Sequence, residues 1–189
     1  QQDDGAAPQV TRLAQAWNRL TGFDRSRELP ASTRDAIGAG ERAMERLAAS
    51  DGRITTLVSA AALPKTDPAP RVKALAAAGK AITAFDRGRL DEAQRQALEA
   101  ANEAARELAA SQDRLSRLFS ALAGGKAGTD AAQRHLIDAV SAITPFDVAQ
   151  ADAAAREQIA RARTTAAEFA MAQLTRVSES FDPALEDPD

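Results

Sequence analysis

The chain has 189 residues, 44% apolar and 27% charged, enough to bury a sizeable core as one domain or a short repeat array. A formal net charge of −3 and only 4% aromatics leave little to neutralise phosphates or stack on bases, so no nucleic-acid partner is expected. The absence of cysteine excludes disulfides, thiolate chemistry and thiolate-bound metals, and no apolar run approaches the ~18 residues of a membrane-spanning helix.

Residues 1–7 are polar and expected to be structureless. Read as what remains after a secretory signal is removed, they favour a periplasmic or otherwise secreted setting, with a cytoplasmic one as the alternative. From Pro8 onward the sequence is helical in character. Alanine, which loses no side-chain entropy in a helix, dominates the composition, and the alternating β-branched and aromatic runs of strands are missing. The expected fold class is all-α.

The first unit, 8–63, opens with a helix whose apolar face carries Val10, Leu13, Trp17 and Leu20. An elbow follows, Thr21-Gly22-Phe23-Asp24, and then a long helix. The same order returns in 71–123, preceded by the start signal Asp67-Pro68 in the linker and with Ile82-Thr83-Ala84-Phe85-Asp86 as the elbow. It returns again in 130–180, opening near Thr129 or Asp130, with the elbow Ile143-Thr144-Pro145-Phe146-Asp147. The three phenylalanines lie 62 and then 61 residues apart. Within each elbow, Thr and Asp stand three residues apart, so each side chain can accept from the other's backbone N–H. Breaks are therefore placed within 21–31, 83–90 and 144–150. Between the units lie a Pro-rich linker, 64–70, and a Gly-rich one, 124–129. An acidic tail, 181–189, follows the third unit.

The second long helix carries the clearest periodicity. Ala97, Ala101, Ala104, Leu108, Ser111, Leu115, Leu118 and Leu122 alternate steps of four and three, a heptad seam. Sixty-one residues earlier the same places hold Ala36, Gly40, Ala43, Leu47, Ser50, Ile54, Leu57 and Ala61. The third helix keeps a shifted version: Ile159, Ala162, Ala166, Phe169, Gln173 and Val177. Small residues allow helices to approach to about 8 Å, and large ones splay them. These patterns predict three tandem helical-hairpin repeats with a period of about 61 residues, six helices forming an array or an elongated bundle. The alternative is three long kinked helices in one antiparallel bundle.

Residues 84–93 resemble the inter-helix turn of a tetratricopeptide repeat over ten residues. That family repeats every 34 or so residues, and the other two elbows lack the glycine found at Gly88, so the resemblance implies local hairpin geometry and no function.

Few residues invite a functional role. Trp17 is the only tryptophan and stands where the later units have Gly79 and Val140; tryptophan is enriched at binding hot spots, although its alignment with Leu13 and Leu20 favours the core. Asp91, Arg95, Glu99, Glu103 and Glu107 recur every fourth residue, and Glu99, Glu103 and Glu107 are candidates for contact with a basic partner against the simpler reading of a solvated face. One straight column does not converge as hard cations require. His135, the only histidine, lies beside Arg134 and Asp138, and is expected to be exposed or to cap a helix. Arg12, Arg19, Arg25 and Arg27 are diluted by neighbouring acids. No catalytic, cofactor-binding or metal-ligating constellation is present, and no phosphate loop or nucleophile elbow.

The expected function is a non-enzymatic helical repeat module that mediates protein–protein interaction. The alternative is a ligand-sensing helical bundle of a larger receptor or envelope protein, which requires a cavity with converging polar groups. A membrane-surface role is disfavoured by the acidic and mixed helix faces. An enzyme would have to act through carboxylates, arginines or His135 alone.

Overall fold

The computed structural model describes residues 7–20, 28–125 and 129–180, and among them all regular structure is α-helical. The helices are α1 (Ala7–Asn18), α2 (Ala31–Ala61), α3 (Pro68–Ala81), α4 (Ala84–Arg87), α5 (Glu92–Gly125), α6 (Asp130–Ser141), α7 (Pro145–Gln150) and α8 (Ala153–Ser180). The long arms α2, α5 and α8 have 31, 34 and 28 residues. The first elbow, 21–24, lies outside the described residues, as do Arg25 and Arg27 and the segments 1–6 and 181–189.

The start signals act where the sequence places them, with one difference. Asp67 precedes α3 and Pro68 occupies its first turn, yet the Asp67 side chain makes no capping bond. Proline at the first position already removes one of the N–H groups a cap would satisfy. Thr129 accepts from the Ala132 N–H at the head of α6. Asp91 and Gln94 cap α5 reciprocally, Gln94 N–H to Asp91 Oδ1 at 2.8 Å and Asp91 N–H to Gln94 Oε1 at 3.0 Å. The helix α5 includes Gly124 and Gly125, so it runs into the segment read as the second linker.

The chain packs as two compact units, residues 1–106 and 107–189. In the first, α1 and α3 both lie against α2. One cluster joins Val10 and Ala14 of α1 to Ala43 of α2 and Phe85 of the elbow. A larger one joins Ile54 and Leu57 of α2, Leu75 and Ala78 of α3, and Ala97 and Ala101 of α5. In the second unit, α6 packs on α8, and Leu115 and Leu118 of α5 share a core with Leu136, Ile159 and Ala162. Each fully buried leucine contributes roughly 1.5–3 kcal/mol by transfer.

The seam on α5 is inward along its length, with Leu108 and Leu122 half-buried and the other six positions buried. On α2, Ala36 is exposed, unlike its counterpart Ala97. On α8 the inward row ends early, because Val177 is 55% exposed.

Small residues set the closest approaches. A Cβ on Gly79 would stand 2.6 Å from the Ala101 Cβ, and a Cβ on Gly40 only 2.7 Å from the Trp17 Cβ. Trp17 is half-buried against that glycine. At Gly40 the largest side chain is thus matched by the smallest residue, and at Gly79 two small residues meet.

Candidate interaction surfaces

Among the described residues, two buried aspartates organise the second and third elbows. The chain leaves α3 through Ile82 and Thr83, both extended, and re-enters a helical turn at Ala84. Thr83 N–H donates to Asp86 Oδ2 at 2.8 Å, while Asp86 N–H donates to Thr83 Oγ1 at 3.3 Å. Thr144 and Asp147 repeat the arrangement, Thr144 N–H to Asp147 Oδ2 at 2.8 Å and Asp147 N–H to Thr144 Oγ1 at 3.3 Å. These are capping boxes, as the spacing predicts.

Each carboxylate also reaches a long helix. Arg53 of α2 donates Nε to Asp86 Oδ2 at 2.7 Å and Nη2 to Oδ1 at 2.8 Å. Arg114 of α5 grips Asp147 in the same bidentate way, both bonds at 2.8 Å. Both partners are 33 residues apart in sequence, and Arg53 and Arg114 are separated by the 61-residue period. One turn before each arginine stands a fully buried serine, Ser50 or Ser111. The Ser111 hydroxyl donates to Asp147 Oδ1 and receives the Gln150 amide. Ser50 Oγ lacks a hydrogen bond of full geometry, yet its hydroxyl still favours the Asp86 charge.

Burial pushes the Asp86 carboxyl up, but Arg53, Ser50 and the Thr83 N–H and hydroxyl together hold it well below the usual carboxylate range. For Asp147, burial opposes the same set of donors, Arg114 first, and the net result is a fall to about 2. Arg53 and Arg114 are both raised, chiefly by their aspartate bonds. Phe85 adds a further tie, with the Arg46 guanidinium 4.3 Å from its ring centroid and Arg89 at 5.7 Å. These are charge-locked joints: the aspartate, its capping threonine and its arginine are committed to one another.

The residues singled out in the sequence do not form one site. Trp17 is half-buried beside Gly40. Glu99, Glu103 and Glu107 are exposed, and Glu107 accepts from Arg114 Nη2 at 2.9 Å. Asp91 is engaged in capping, and Arg95 pairs with Glu92 at 3.4 Å. Among the described residues no three His, Asp or Glu side chains gather closely enough to hold a metal ion. His135 is exposed, on the rim of a small groove of about 180 Å³ with Arg114, Arg117 and Asp138.

An open groove lies in the first unit, between the end of α2 and α3. It holds about 490 Å³ and is floored by Ala60, Ala74, Ala77, Ala78 and Ala81, with Leu63 at one edge. Arg71 continues the same α3 row one turn earlier, and its Nε is buried without a hydrogen-bond acceptor. Throughout α3 the charges are Arg71, Lys73 and Lys80, with no acidic residue. The groove of His135 occupies the matching place 61 residues on, where Arg117, His135 and Asp138 replace Thr56, Ala74 and Ala77. The alanine groove is not legible in the sequence, because alanines on α3 are ordinary helix formers until a neighbouring helix packs beside them.

No protein-family model matches this chain, nor does any curated protein or solved structure.

Proposed function

We propose that the chain is a non-enzymatic module of three helical repeats that binds another protein, and that the groove between α2 and α3 receives an acidic amphipathic helix from that partner. The observation that carries this reading is the groove itself. Its floor is almost wholly methyl groups, so a partner's larger apolar side chains lose water there without leaving polar atoms unpaired. Helix-in-groove recognition uses anchors spaced three and four residues apart, which suits an open channel between two helices. A carboxylate on the incoming helix meets a positive potential, because α3 carries Arg71, Lys73 and Lys80 and no acidic residue. Supporting the repeat arrangement is the recurrence, at 61 residues, of Ser-x-x-Arg on a long helix with Thr-x-Phe-Asp on the elbow that follows it.

A benzophenone side chain at Ser59, on the groove wall, tests this in the source cells against the same group at Glu41, an exposed position of α2 outside the groove. The expected outcome is a discrete protein adduct from position 59 alone, abolished by Ala77→Trp and weakened by Arg71→Glu. Equal labelling from both positions, or adducts indifferent to Ala77→Trp, would overturn the proposal.

A further inference from the structure

The second unit contains a cleft of a different character, between the C-terminal end of α5 and the first half of α8, of about 340 Å³. One wall is apolar, with Phe119 and Leu122, and Phe169 closes one end. The facing wall is a row on α8, Gln158, Arg161 and Thr165, at helical spacing of three and four. Each of these side chains carries a hydrogen-bond donor, and no carboxylate lines the cleft.

The donors are not used up within the protein. Elsewhere Thr11, Thr56, Thr164 and Thr175 each turn the hydroxyl back to the carbonyl four residues earlier. Among the described residues Thr165 makes no such bond, and the Gln158 amide has no hydrogen-bond partner. Arg161 gives one Nη2 bond of 3.1 Å to Glu157 and keeps its remaining donors. Nor does helix packing require this row. Among the described residues the buried positions of α8 are Ile159, Ala162 and Ala166, none of them in this row.

We propose that this cleft binds a small amphiphilic carboxylate, its apolar body between Phe119, Leu122 and Phe169 and its carboxylate on Arg161, Thr165 and Gln158. The charge follows from a lining that only donates at its polar wall, and the size from the volume. At ~30 Å³ for each water displaced, the cleft matches a ligand of about a dozen non-hydrogen atoms, at the small end of ligand pockets. The inference is independent of the groove in the first unit.

The test is a calorimetric and NMR titration of the full chain with 4-phenylbutyrate, and with 4-phenylbutylamine, which has the same body and the opposite charge. The carboxylate is expected to bind saturably with a Kd of about 0.1–1 mM, and the amine not to bind. Arg161→Ala should weaken binding about tenfold. Ala123→Trp, an exposed cleft position, should abolish it, with circular dichroism unchanged in both variants. In the parent protein, shifts should centre on Thr165 and Phe169, which needs no variant at all. Absence of saturable carboxylate binding, equal binding of the amine, or shifts centred outside the cleft would each sink the inference.

Discussion

Asp86 and Asp147 do two jobs with one carboxylate each. Both side chains are fully buried, and a buried charge is tolerable only when paired and hydrogen-bonded. The capping threonine satisfies part of the carboxylate, and the bidentate arginine satisfies the rest. Removing the arginine leaves the charge behind. Arg114→Ala is therefore expected to cost about 3–5 kcal/mol in denaturant unfolding, whereas Arg117→Ala, on an exposed pair, is expected to cost under about 1 kcal/mol. Equal costs for the two would show that the Asp147 joint adds nothing special. Thr-x-Phe-Asp was legible as a cap because capping is local. Arg53 and Arg114 were not legible as its partners, because the 33 intervening residues that bring them to the elbow form a hairpin whose geometry no local pattern states.

At the scale of the element, the long helices are built from one seam with different endings. On α5 the seam stays inward through Leu118, which is fully buried. On α8 the row turns outward: Met171 and Leu174 are each 64% exposed and Val177 55%. The shifted phase of Ile159, Ala162, Ala166 and Phe169 foreshadows this, since a one-residue shift rotates a helix by about 100° relative to the original row. Few buried contacts mean low local stability. Amide exchange is expected to be fast over residues 171–178 and slow over 115–121, though both segments are helical. Equal protection of the two would show that the α8 end is held as firmly as the middle of α5. Gly40 and Gly79 belong to the same scale. Their small size was readable in the sequence, but which side chain each one admits, Trp17 or Ala101, depends on the crossing of two helices.

Among the described residues of the whole molecule, each unit holds one aspartate joint, and both depend on an ionised carboxylate. Their folded-state values are depressed, so their contribution is complete above the ordinary carboxylate value of ~4 and declines as pH falls below it. Asp147 takes up its proton in the folded state near pH 2, and the Asp86 carboxyl is likewise depressed. Thermal stability should therefore be flat from about pH 7 to 5 as far as these groups act, and fall between about pH 4 and 2. The slope in that window should be shallower in Asp147→Asn, measured by circular dichroism melts at each pH. A slope unchanged by that substitution would remove Asp147 as its source.

The all-helical character, the elbow caps and the inward row of α5 were determined by the chain alone, because they rest on interactions within one helix or one turn. Those interactions span at most a few residues, so composition and spacing state them completely. Tertiary structure alone decided which arginine meets which aspartate, that the α3 alanines floor a groove, and that a row of donors on α8 lines one cleft with Phe119 and Leu122 of α5. The reason is physical. A side chain's chemistry is written in the sequence, but whether it is buried, paired or open is a property of the neighbour that packing brings to it.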